Sequence, residues 1–132
     1  MLLIRRWSLA LAMFAMFSCV VPGFAVAQNY TPLIVGWERF FSLTAETIQA
    51  GGRPRVAGYI RNESGTPARR IQLLVEGLDA AGQVTGQTVA WFGHELPPGA
   101  RGYFDVSAPP GTRHRVSVFA FDFIQAASAN AP

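Results

Sequence analysis

The sequence predicts an all-β fold, an antiparallel β-sandwich of about seven strands that follows a signal peptide. Turn residues divide the chain at short intervals, apolar residues between the turns alternate with a period of two, and none of these segments has the apolar stripe of a helix. The turn segments are residues 51–52, 62–65, 81–83, 97–99 and 109–111.

The first 27 residues have the pattern of a secretory signal peptide. Arg5 and Arg6 end a positively charged start, residues 7–21 are almost purely apolar, and Ala25-Val26-Ala27 offers the small residues that a signal peptidase recognises. The apolar run is about 15 residues long, against the ~20 that a membrane-spanning helix needs. We therefore expect cleavage after Ala27 and a periplasmic or secreted protein.

Two alternatives leave the protein attached to the membrane. The leader could persist as an uncleaved anchor, or Cys19 could be lipidated, since residues 16–18 faintly resemble a lipoprotein cleavage box. Phe17 is bulky where such boxes usually hold a small residue, which favours cleavage at Ala27. Because Cys19 is the one cysteine of the chain, the processed domain would have neither a disulfide nor thiolate chemistry.

Size and charge limit what the processed chain can do. The full chain has 132 residues and a formal net charge of +3, of which Arg5 and Arg6 supply two units. The remainder is nearly neutral and lacks the basic surface of a nucleic-acid-binding protein, so no nucleic-acid partner is expected. Roughly 100 residues suffice for one domain with its own core. We place that domain at residues 28–124 and a disordered tail at residues 125–132.

Six segments between the turns have the alternation of strands. They are residues 33–43, 55–61, 71–76, 84–92, 102–106 and 113–124. A split of the fourth segment at Gly86 would make seven. Gly77 is predicted to end the alternation of the third segment with a β-bulge, because Leu78 breaks its parity.

The last segment is apolar on both faces. Side chains alternate across a strand, so Val116 and Val118 fall on one face, while the opposite face has Phe119, Phe121 and Phe123. Two interpretations stay open. Other aromatic residues of the chain, of which Trp37, Phe40 and Phe41 are available, could cover the phenylalanines; alternatively, part of the row is exposed and binds a partner.

Under the second interpretation, a group of aromatic residues forms the contact surface for a partner. Its members are Trp37, Phe40, Phe41, Trp91, Phe92, Phe119, Phe121 and Phe123.

The sequence contains no convincing catalytic or metal-binding pattern. His94 and His114 are the only histidines, and neither lies at the spacing of a zinc-ligand pair. No serine has the surroundings of a nucleophile elbow, and the glycines do not form a phosphate-binding loop. Carboxylates are scattered, so only folding could bring two together as in a glycosidase. We expect no enzyme, no metal and no cofactor.

Two local patterns have both a structural and a functional interpretation. The local basic cluster consists of Arg53, Arg55, Arg61, Arg69 and Arg70. These arginines suit a solvated sheet face with a guarded edge, or else an anionic ligand or lipid headgroup. Asn62-Glu63-Ser64 matches a glycosylation sequon, but a turn explains the same residues.

Five segments follow one another in a distinctive order. They are residues 56–62 (VAGYIRN), 68–75 (ARRIQLLV), 78–82 (LDAAG), 96–99 (LPPG) and 103–106 (YFDV). This succession resembles the FxLYD-like group of bacterial extracytoplasmic β-sandwich domains, over about residues 53–124. In these segments Gly58 is expected where one backbone crowds another, Asn62 begins a turn, and Asp79 with Gly82 closes a hairpin. The resemblance implies a fold and says almost nothing about activity.

These observations favour an exported, non-enzymatic, immunoglobulin-like β-sandwich that acts as an interaction module of the bacterial envelope. We expect its partner to be another envelope protein, and the membrane to be involved only through the signal segment. Strand addition at an exposed sheet edge is a second route to a partner. The alternatives are a structural component of the envelope anchored in the membrane, and a hydrolase whose carboxylates converge.

Overall fold

The structure, a computed structural model, describes residues 29–125. The signal peptide with Cys19, its cleavage site at Ala27 and most of the predicted tail lie outside these residues. Within them the chain is all β apart from one 3-10 turn at Trp37–Arg39. None of the helical structure in residues 29–125 has the length and apolar character that crossing a membrane takes.

Six strands form two antiparallel sheets. The strands are β1 (Phe41–Ala50), β2 (Arg53–Asn62), β3 (Ala68–Leu78), β4 (Val84–Phe92), β5 (Arg101–Ser107) and β6 (Arg113–Phe123). Sheet A has the order β1-β2-β5, and sheet B has the order β4-β3-β6. The predicted all-β class is confirmed, with six strands in residues 29–125 rather than about seven, because β4 runs through Gly86 without a split.

The two sheets share one apolar core. Val56 and Ile60 of sheet A and Leu73, Val75 and Val118 of sheet B belong to it, and none of these side chains is more than 1% exposed. Burying a side chain of this size contributes roughly 1.5–3 kcal/mol. Apolar surface between the sheets therefore holds them together, an arrangement compatible with a β-sandwich.

The predicted first strand, residues 33–43, is wrong over most of its length. The chain turns at Gly36, whose φ is 80°, and β1 begins only at Phe41. It then continues to Ala50 through residues that are mostly polar and exposed. Backbone pairing with β2, from Phe41 opposite Asn62 to Ala50 opposite Arg53, holds this stretch. Apolar alternation is confined to its start, where Phe41 and Leu43 pack in the core, so the sequence pattern did not reveal the rest of the strand.

β6 changes faces part-way along its length. Val118 and Ala120 lie opposite consecutive residues of β3, so Phe119 between them is an extra residue in the strand. Before this bulge Val118 points into the core, and after it Phe121 does, at 8% exposed. The predicted division of β6 into one valine face and one phenylalanine face is therefore wrong, because the bulge exchanges the faces.

The predicted irregularity at Gly77 is confirmed, and its surroundings explain it. The register between β3 and β4 shifts after Gly77, which lies opposite Gly86. A Cβ on Gly77 would lie 1.9 Å from the backbone oxygen of Pro110, and a Cβ on Gly86 would lie 2.9 Å from the Pro110 Cδ. The Thr85 hydroxyl donates a hydrogen bond of 2.6 Å to the same oxygen. The glycine pair thus leaves space that the loop before β6 fills.

Two further predictions of local structure are confirmed. A Cβ on Gly58 would lie 1.7 Å from the backbone oxygen of Thr44, because the backbone of the neighbouring strand β1 comes very close to Gly58. In the hairpin before β4, the Gly82 N–H donates to the Asp79 oxygen at 3.0 Å, and the Gln83 N–H donates to the Asp79 carboxylate at 2.8 Å.

Candidate functional site

The fold separates the predicted aromatic contact residues by their exposure. Three belong to the buried core: Phe41, Phe92 and Phe121. Four are partly buried: Trp37, Phe40, Phe119 and Phe123. Trp91, by contrast, is 65% exposed. A buried side chain does not reach a partner while the domain stays folded, so Trp91 is the member of this group that the fold presents most openly.

Other aromatic rings of the chain cover the phenylalanines of β6. The ring of Phe40 lies 5.2 Å from that of Phe123, and the ring of Phe41 lies 4.8 Å from that of Phe121. Tyr30 contacts Phe119 with ring centroids 5.9 Å apart. All three pairs are edge-to-face, the arrangement that aromatic pairs favour. The structure therefore supports the first interpretation of this row, cover by the chain itself.

Trp91 stands at the rim of a groove at one end of sheet B. Ile71 lies opposite Phe92, and beyond that point Ala68 and Leu96 exchange two backbone hydrogen bonds of 2.9 Å. Between these two paired points, residues 69–70 and residues 93–95 separate from each other. The space between them has a volume of about 380 Å³ and is lined by Arg69, Arg70, Trp91 and residues 92–95. We call it the Trp91 groove; ligand pockets typically measure roughly 300–1,000 Å³.

A strained backbone position brings two consecutive arginines into this groove. Between Arg69, opposite Asp122, and Gln72, opposite Ala120, β3 has two residues where β6 has one. Arg70 in this bulge has a φ of 51°, in the left-handed region that residues other than glycine seldom adopt. A regular strand would direct Arg69 and Arg70 to opposite faces. Such strain costs about 1–3 kcal/mol and occurs most often at functional positions.

The charges of the groove are only partly neutralised. Among residues 29–125, Arg69 has no acidic side chain within ion-pair distance, and Glu95 has no basic one. Arg70 lies 3.5 Å from Asp122, with the two side chains 68% and 51% exposed. Exposed pairs of this kind contribute about 0–1 kcal/mol. The arginines and Glu95 thus remain available to charged or hydrogen-bonding groups of a ligand.

The predicted basic cluster does not form one surface. Arg53, Arg55 and Arg61 belong to sheet A, whereas Arg69 and Arg70 belong to sheet B. Arg55 pairs with Asp105, and Arg61 lies 3.6 Å from Glu63. Local ion pairs therefore explain Arg55 and Arg61, and the fold places all three sheet A arginines on a different sheet from the two arginines of the groove.

The two histidines have different surroundings. His94 is exposed at the groove, with its ring edge-to-face on Phe92 at 5.6 Å. His114 is partly buried, and its Nε2 donates to the Pro109 oxygen at 2.7 Å, while Nδ1 lies 2.9 Å from the Thr47 hydroxyl. His114 thus joins β6 to the preceding loop and to β1. Residues 29–125 contain no group of three or more His, Cys, Asp and Glu residues that could hold a metal ion.

Asn62, the sequon residue, is fully buried and has a structural role. Its Nδ2 donates to the backbone oxygens of Thr66 and Leu96 at 2.8 and 2.9 Å, and its Oδ1 accepts from the Ser64 N–H at 2.9 Å. The predicted turn is confirmed. Because both Nδ2 hydrogens are engaged, Asn62 does not offer a glycan attachment point in the folded domain. Its bond to Leu96 also fixes one paired point of the groove.

Sequence reasoning identified parts of the groove without joining them. Trp91 was among the predicted contact residues, and Arg69 and Arg70 were in the basic cluster. His94 was considered as a zinc ligand and set aside, and Glu95 was one of the scattered carboxylates. The available signal was two consecutive arginines in a segment that otherwise alternates. Their meeting with Trp91 depends on the pairing of β3 and β4.

No protein-family model, curated protein or solved structure matches this chain. The resemblance to the FxLYD-like domains accordingly stays a prediction. The function is therefore inferred from the residues of the Trp91 groove.

Proposed function

We propose that this chain is an exported, non-enzymatic interaction module of the bacterial envelope, an immunoglobulin-like β-sandwich of the FxLYD-like kind that binds another envelope protein through the Trp91 groove. The observation that carries the proposal is the 65% exposure of Trp91 beside two arginines. Tryptophan and arginine are among the residues that dominate binding energy at protein interfaces. Two sheets sharing one core support the sandwich architecture.

The position of the groove favours contact with a macromolecule. β4 is an edge strand of sheet B, so a partner can approach Trp91 both from the face of the sheet and from its side. An edge strand also offers backbone groups to an added strand. The neighbouring core does not depend on Trp91, because Phe92 fills the inward position. This division leaves the indole free for a partner.

Site-specific photocrosslinking in cells that export the protein tests the proposal. A photoreactive residue at Trp91 should give a defined crosslinked product with an envelope protein. The control position is Val84, which lies on the same strand and is 41% exposed. Products of equal yield at both positions, or at Val84 alone, would contradict the groove as the contact surface.

The export part of the proposal has its own test. Mass spectrometry of the purified protein should find Gln28 as the first residue, because Ala27 ends the predicted leader. A lipidated Cys19 or a retained leader would instead support the membrane-anchored structural component. Either result leaves the contact role of Trp91 to the crosslinking experiment.

A further inference from the structure

We infer that the Trp91 groove binds an acidic peptide segment of the partner, with Arg69 and Arg70 on its carboxylates and Glu95 on a backbone N–H. This inference rests on the proposed function and adds the chemistry of what is bound. Its basis is the coincidence of a strained backbone at Arg70, the unpaired charges of Arg69 and Glu95, and the exposed indole of Trp91 in one groove.

The arginine arrangement points to a carboxylate ligand. Two consecutive arginines, Arg69 and the left-handed Arg70, both line this groove. Guanidinium groups match carboxylates in planar, two-pronged geometry, and such charge-assisted hydrogen bonds are roughly twice as strong as neutral ones. The acid nearest to Arg70, Asp122, is exposed and 3.5 Å away, so a ligand carboxylate can compete for this arginine.

Glu95 favours a peptide over a free phosphate group. Glu95 lines the same groove, and its negative charge would repel the approximately two negative charges of a phosphate more than the single charge of a carboxylate. A peptide also has backbone N–H groups, and an ionised carboxylate can accept hydrogen bonds from them. Trp91 next to the arginines provides apolar area for the side chain that neighbours the acidic one.

The distribution of basic residues speaks against a lipid surface as the ligand. Binding to an anionic membrane needs several basic residues on one face. The arginines of the local cluster are divided between two sheets, and Arg55 and Arg61 are paired with Asp105 and Glu63. The groove therefore suits a discrete acidic group.

Nuclear magnetic resonance of the protein, expressed from the full chain, tests this inference. The probe is a capped Glu-Leu-Glu peptide, the matched neutral probe is Gln-Leu-Gln, and the reporter is the Trp91 indole N–H resonance. The acidic peptide should shift this resonance saturably. Its affinity should fall about tenfold in Arg69→Gln, as loss of a charged hydrogen bond implies. It should also fall in about 1 M salt, where the Debye length is ~3 Å.

Arg53→Gln is the matched control, because it removes the same charge from an exposed position on sheet A. It should bind the acidic peptide as the unaltered protein does. Equal shifts with the neutral peptide, or equal loss in Arg53→Gln, would overturn the inference. So would tighter binding of inorganic phosphate or of phosphatidylglycerol vesicles. If the acidic peptide fails while crosslinking at Trp91 persists, the acidic ligand is wrong and the proposed function stands.

Discussion

The β3–β4 pair ends in two different ways. At one end Gly77 and Gly86 lie opposite each other, and the loop around Pro110 fills the space above them. At the other end the strands separate around Arg69 and Arg70, and no segment among residues 29–125 fills the groove, which has a volume of about 380 Å³. The fold thus closes one end of this strand pair with its own backbone and leaves the other end open. The open end, with its strain and exposed charge, is the better candidate for binding.

The largest expected change in stability comes from replacing Phe92, and its exposed neighbour Trp91 at the same open end should respond very differently. Phe92→Ala should lower the free energy of unfolding by about 3–5 kcal/mol, because it leaves a cavity in the core. Trp91→Ala should change it by less than about 0.5 kcal/mol, since the indole is mostly in water. Denaturant unfolding measures both values. A loss for Trp91→Ala comparable to that for Phe92→Ala would show that the groove is part of the core.

Glycine substitutions compare the two ends directly. Gly77→Ala should cost about 3 kcal/mol, because its Cβ would overlap the backbone oxygen of Pro110 and displace the loop. Gly93→Ala is the matched substitution at the open end, where a Cβ meets nothing within 4 Å. It should leave thermal unfolding almost unchanged. Similar losses in the two variants would remove the distinction between the closed and the open end.

The paired point beside the groove depends on Asn62. Asn62→Ala should cost about 2 kcal/mol, since it removes the Nδ2 hydrogen bonds to the Thr66 and Leu96 oxygens and the acceptor of the Ser64 N–H. Asn62→Asp retains an acceptor for Ser64 but places a carboxylate against the same two oxygens, so it should cost at least as much. Urea midpoints of both variants measure this. Full stability of Asn62→Asp would show that the Nδ2 bonds do not hold the groove.

The smallest expected change in stability comes from relieving the backbone strain at Arg70. The test is whether the free energy of unfolding rises or falls. Arg70→Gly should raise the free energy of unfolding by up to about 1 kcal/mol, because glycine adopts a left-handed φ without a steric penalty. Arg69→Gly, one residue earlier, should lower it by about 0.5–1 kcal/mol, the usual cost of glycine in a strand. Losses of the same size at both positions would mean that Arg70 is not strained.

Much of the fold could be predicted because it depends on local chemistry. Alternation identified five of the six strands, and the bulge at Gly77 and the turn at Asp79 followed from residue types. β1 was placed wrongly because exposed polar residues such as Thr44 and Glu46 lie in a strand only through pairing with β2. Propensity and periodicity do not report a partner strand.

The candidate site was predictable only in pieces. Trp91 was predicted as a contact residue because it is a large aromatic residue. The neighbouring sequence did not distinguish it from Phe92, which is buried. The groove forms because the bulge at Arg70 and the arch of residues 93–95 face each other across β3 and β4. Two such excursions, more than twenty residues apart in sequence, meet only after the strands have paired.

Local sequence patterns sufficed to predict the all-β class and the roles of Gly58 and Gly77, because side-chain alternation and turn chemistry act over a few residues. Only the packing of the strands shows which aromatic residues are covered and which, like Trp91, are exposed. Phe119 is an extra residue in β6, so Phe121 reaches the core as Val118 does, and this extra residue is defined only by the register against β3. Register is a property of two strands together, so one strand's pattern does not contain it.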